Sequence, residues 1–76
     1  MAQVTLFILD NQIEKMSFLK QMFERMRGIC TKKLEEIFSE TSHKPIVEDL
    51  TIEKNYKIEG DEENRFYEVC VVFSLN

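Results

Sequence analysis

The sequence predicts an α+β domain of β-α-β-β order, with one long helix packed on a three-stranded, mostly antiparallel sheet of strand order 1-3-2. Three observations lead there. Apolar residues recur with the period of a helix through the first half of the chain; the period drops to two after Pro45; and the most continuous apolar alternation is the stretch 66–75, which belongs in the middle of a sheet. At 76 residues the chain is one domain, 1–76, of a size at which folding hides only about 60% of the surface of the unfolded chain. Hydrophobic residues at 43%, with only two glycines and one proline, place it among folded rather than disordered chains.

The first strand is residues 4–9, with Val4, Leu6 and Ile8 on one face and Thr5, Phe7 and Leu9 on the other, a pattern expected of a strand covered on both sides. Asp10 and Asn11 stop it, and Asn11 followed by Glu14 reads as a capping-box-like helix start. From Ile13, the residues Met16, Leu19, Phe23, Met26, Cys30 and Ile37 recur at helical steps, and Phe18, Met22, Ile29, Leu34 and Phe38 broaden that face. Taken together they imply a helix of roughly 30 residues, about 45 Å long. Gly28 lies within it and reads as a point of close packing against a neighbour, ahead of a hinge.

Thr41 to Pro45 end the helix, since proline pushes the preceding residue out of the helical region. The second strand then places Ile46, Leu50, Ile52, Tyr56 and Ile58 on one face and Asp49, Thr51, Glu53, Asn55, Lys57 and Glu59 on the other. Glu48 and Lys54 interrupt the apolar face, which indicates a strand that leaves the core or bends at a bulge. Gly60, Asp61, Glu62, Glu63 and Asn64 read as a polar hairpin loop. In the third strand Tyr67, Val69, Val71, Phe73 and Leu75 share one face, and Phe66, Cys70 and Val72 lie on the other.

One helix covers one face of such a sheet. Phe66, Cys70 and Val72 are therefore expected on an uncovered face, where apolar area marks a partner-binding surface. A homo-oligomer, in its simplest form a dimer with closed symmetry, is the expected consequence. Charge is unevenly spread: from Ile46 to Asn76 there are three basic and eight acidic residues, while the whole chain carries −4. Asp61, Glu62 and Glu63 read as a solvated hairpin tip for stability. With Glu48, Asp49, Glu53 and Glu68 they also form an acidic surface suited to a basic protein partner.

Other chemistries are disfavoured. Arg25, Arg27, Lys32 and Lys33 have acidic neighbours Glu24, Glu35 and Glu36 on the same helix, which reads as a solvated face rather than a nucleic-acid site. Cys30 and Cys70 form no CxxC pair and His43 is the one histidine, so no metal site and no cofactor are expected. The acidic loop lacks the ligand spacing of a calcium loop. No glycine-rich phosphate loop or nucleophile-base pair is visible, so the expectation is that the chain is not an enzyme. The apolar run Val4–Leu9 is too short for a signal-peptide core or a membrane span. With reduced thiols, this gives the expectation of a soluble, cytoplasmic protein without membrane contact.

The βαββ order and the run Phe66-Tyr67-Glu68-Val69-Cys70-Val71-Val72-Phe73-Ser74-Leu75 loosely resemble dodecins, small flavin-storing proteins that assemble as hollow dodecamers. Dodecins have a much shorter helix and a tryptophan on the second strand that stacks on flavin, whereas this sequence contains no tryptophan. The leading expectation is a small non-enzymatic protein-binding or assembly module, with an inhibitor that occupies a partner protein's surface as one form of it. The alternative that the resemblance implies is a dodecin-like oligomer binding a small ligand, flavin, between subunits.

Overall fold

Strand β3 (Asp61–Leu75) is the axis of the fold, flanked by β1 (Ala2–Asp10) on one side and β2 (Pro45–Ile58) on the other, in the order β1-β3-β2. Both pairings are antiparallel, and β3 takes the central place expected for the longest apolar alternation in the chain. The computed structural model describes residues 2–16 and 19–76, the side chain of Glu14 excepted. Phe18, assigned to the helix face, and the Glu14 half of the expected capping box lie outside the described residues. Among the described residues no helix is long and apolar enough to cross a membrane.

The helix α1 (Leu19–Ile37) has 19 residues and is shorter than the periodicity implied. Ile13–Lys15 instead form a separate 3₁₀ turn, and Met16 follows in extended geometry with φ −87° and ψ 125°. Asn11 does not cap this turn. Its N-cap position is Gln12, and the anchoring group is the Asp10 carboxylate, which accepts the Gln12 backbone N–H at 2.6 Å. Gly28 neither breaks α1 nor packs closely: a Cβ added there meets nothing within 4 Å. The helix closes where Thr41 turns back, its backbone N–H at 3.1 Å and its hydroxyl at 3.0 Å both donating to the Phe38 carbonyl. His43 lies beyond that turn, exposed.

Pro45 begins β2, an edge strand where the missing N–H is tolerated. Just before it, Lys44 and Asn76 exchange a pair of backbone hydrogen bonds at 3.0 and 2.9 Å, tying the end of β3 to the start of β2. The core lies between α1 and one sheet face. Met26, Cys30 and Leu34 descend from the helix onto Leu6 and Ile8 of β1, Val47 and Leu50 of β2, and Tyr67, Val69, Val71 and Phe73 of β3. Ile13 joins them from the 3₁₀ turn. Burying each such side chain contributes about 1.5–3 kcal/mol.

Of the three register shifts between β2 and β3, the two at Glu48 (between Val47 and Asp49) and at Glu53 (between Ile52 and Lys54) decide which side chains reach this core. A one-residue slip turns every following side chain to the other face. Leu50 and Ile52 therefore point to the helix, whereas Ile46 pairs with Ser74 and Tyr56 pairs with Phe66 on the opposite face. The expected single apolar face of β2 is split between both sides.

The uncovered sheet face as candidate interaction site

Period-two alternation carries the site across all three strands. On the face away from α1, β3 presents Phe66, Glu68, Cys70 and Val72, and strand pairing sets two neighbours beside each. Leu9, Phe66 and Tyr56 form one row. Phe7, Glu68 and Lys54 form the next, Thr5, Cys70 and Thr51 the third, and Gln3, Val72 and Asp49 the fourth.

The first two rows hold most of the apolar area. Phe7 is 55% exposed, Leu9 54%, Tyr56 43% and Phe66 40%. At about 200 Å² for a large side chain, these four leave on the order of 400 Å² of apolar surface facing solvent. That is the size of the largest patch on a typical monomer, and here it lies in one contiguous strip. Glu68 and Lys54, in register in the next row, give the strip a charged border of both signs. At the opposite end the Ser74 hydroxyl donates to Glu48 Oε1 at 2.8 Å.

Phe66, Cys70 and Val72 thus stand where the sequence placed them, on the uncovered face. Asp61, Glu62 and Glu63 do not join them. The tight turn is Glu59-Gly60, with Gly60 at φ 84°, and residues 61–64 already belong to β3 instead of forming a loop. Asp61 is engaged with its own turn: Oδ1 accepts the backbone N–H groups of Glu63 at 3.1 Å and Asn64 at 3.2 Å, and Oδ2 accepts Asn64 Nδ2 at 2.7 Å. The Asn64 hydrogen bond, with those two backbone N–H groups, holds its carboxyl below the ordinary range. Glu62 and Glu63 are exposed at the hairpin tip.

Sequence reasoning missed Phe7, Leu9 and Tyr56. Leu9 and Phe7 were legible once β1 is an edge strand, because order 1-3-2 and alternation put them beside Phe66 and Glu68. Tyr56 was hidden by the second bulge. Among the described residues no cluster of three or more His, Cys, Asp or Glu side chains is placed to hold a metal ion. Burial pushes the Cys30 thiol up to about 11 against a smaller opposing effect of Lys33, which leaves it protonated and unreactive at neutral pH. A second apolar surface, a groove of about 430 Å³ between α1 and β2, is lined by Leu19, Met22, Phe23, Leu50 and Ile52. No family model, no curated protein and no solved structure matches the chain.

Proposed function

We propose that this chain is a non-enzymatic protein-binding and assembly module that works by laying its uncovered sheet face against another protein surface, in the simplest case that of a second copy. The supporting observation is the contiguous strip of Phe7, Leu9, Phe66 and Tyr56, each at least 40% exposed on a face that α1 does not reach. Large side chains with an apolar body are the groups that dominate binding energy when water is excluded around them. Tyr56 adds a hydroxyl that tolerates solvent until a partner arrives. The Glu68 and Lys54 border supplies orientation more than affinity. An acidic hairpin tip next to the strip favours a contacting surface with basic residues at that end. Acting as an inhibitor would be one outcome of occupying such a surface.

Cys70 gives a direct test, because it is a partly exposed thiol in the middle of this face. Solution mass and the rate of thiol labelling are measured together from low to high micromolar protein. Covering the face raises the mass to at least twice 9.1 kDa and slows labelling of Cys70, and Phe66→Ser with Leu9→Ser restores both the mass and the rate of the dilute protein. A constant labelling rate across that range would remove the face as a self-assembly surface.

A further inference from the structure

The two edges of the sheet are built differently. The β2 edge is interrupted by register shifts at Glu48 and Glu53 and carries Glu48, Asp49, Glu53, Lys54 and Lys57. Bulges and charges of this kind are how proteins keep an edge strand from pairing with another chain. β1 has neither device. Its register with β3 runs unbroken from Ala2 against Phe73 to Asp10 against Arg65, and no charged residue occurs from Ala2 to Leu9. Nine residues of strand without a register shift therefore present a row of main-chain groups outward.

We infer that the β1 edge is a seam that pairs antiparallel with β1 of a second copy, joining two three-stranded sheets into one of six. This rests on reading the chain as an assembly module, and it adds a contact separate from the sheet face. Charge sets where two copies can meet. Each copy carries −4, with its acidic excess concentrated between Ile46 and Asn76. The uncharged strand β1 is where two such copies approach with least repulsion. Antiparallel pairing of identical strands is isologous, so it closes on a two-fold axis. The guarded β2 edges then stop the sheet from growing.

The helix side of the seam is complementary as well. Lys33, Glu36 and the exposed Ile37 of α1 overhang a groove along Thr5, Leu6 and Phe7. A two-fold axis through the β1 edge brings Lys33 of one copy toward Glu36 of the other. On the open face it sets Phe7 and Leu9 of both copies side by side, so the apolar strip becomes continuous across six strands. Two short strands with their flanking side chains bury on the order of 1,000 Å² in total, the low end of specific interfaces, so the pair separates on dilution.

Residue-resolved amide exchange tests the seam. In an edge strand alternate N–H groups bond to the neighbour and the others face outward. At high concentration the outward N–H groups of β1 exchange at least about tenfold more slowly than in the dilute monomer, whereas stacking of sheet faces leaves them unprotected. Gln3→Glu with Thr5→Glu, both at exposed positions, gives the β1 edge the charges that keep edge strands from pairing and abolishes that protection while circular dichroism stays unchanged. Protected β1 amides with Cys70 still freely labelled uphold the seam and overturn the face contact. Unprotected amides in a species of dimeric mass overturn the seam alone, and a monomer at every concentration overturns both.

Discussion

Arg25 grips a single oxygen of Asp10 with two nitrogens, Nε at 3.0 Å and Nη2 at 2.9 Å, while the other carboxylate oxygen takes the Gln12 backbone N–H. One side chain thereby ties the end of β1, the 3₁₀ turn and the middle of α1 together. The Asp10 side chain is 3% exposed and that of Arg25 34%, so the pair lies between a surface bridge and a buried one. Arg25→Met keeps the aliphatic stem but leaves a buried carboxylate with one donor. It is expected to cost about 2–3 kcal/mol, less than for a fully buried pair. Asp10→Asn retains an acceptor for Gln12 and should cost less, about 1–2 kcal/mol. Urea denaturation of both variants checks the order, and equal losses would mean that the ion pair adds nothing beyond the Gln12 hydrogen bond.

Gly28 sits inside α1, exposed, with open space where a Cβ would project. Its backbone is helical and not in the positive-φ region, so the residue contributes only unfolded-chain entropy. Gly28→Ala should stabilise the fold by about 0.5–1 kcal/mol. The melting temperature reads this out. A loss would place a neighbour against Gly28 in the assembled protein.

Element order, strand order and the core face of β3 were legible because each rests on a period that holds over the whole element. Helix length was not, since Ile13 is a core residue 1% exposed that keeps helical spacing from outside the helix. Spacing reports burial, and a buried 3₁₀ turn next to α1 contributes to the same pattern. The faces of β2 were lost for a related reason: a bulge is visible as an interruption, but its effect on Ile46 and Tyr56 depends on which residue is the extra one. The Asp10–Arg25 pair spans 15 positions and left no local signal.

Phe73 pairs with Ala2 and Val47, is 5% exposed, and meets the Phe38 ring at 5.7 Å with 49° between the planes. Phe73→Ala empties this corner of the core and should destabilise by about 3–5 kcal/mol. Phe73→Leu keeps most of the volume and should cost below about 1.5 kcal/mol. Chemical denaturation that found the alanine variant within 1 kcal/mol of the parent, on the order of experimental scatter for surface sites, would put Phe73 outside the core.

At the hairpin tip three acidic residues differ in role. Glu62 and Glu63 are exposed, and their replacement by serine should change stability by only a few tenths of a kcal/mol per site. Asp61→Ser removes the acceptor of three hydrogen bonds that shape the first residues of β3 after Gly60 and should lower the melting temperature more than the other two together. Its carboxyl lies below the ordinary range, so the stability it supplies is present above the unfolded-state value and is lost as pH falls through the lower folded one. The acid limb of a stability profile for Asp61→Ser should therefore be flatter than that of the parent.

Cys30 offers the opposite sign at the alkaline end. Cys30 is fully buried under α1, and desolvation raises its thiol from 9.0 to about 11. The folded protein thus holds this proton across a window in which the unfolded chain has released it. Stability from Cys30 is complete below pH 9.0 and declines as pH rises toward about 11. Cys30→Ala removes that decline, at the cost of a small cavity beside Met26 and Leu34. Labelling supplies the second readout: at pH 8 a thiol reagent modifies Cys70 in the folded dilute protein, and Cys30 reacts only at the rate of unfolding. Equal reactivity of both thiols under native conditions would show that α1 lifts away from the sheet far more readily than its buried residues imply.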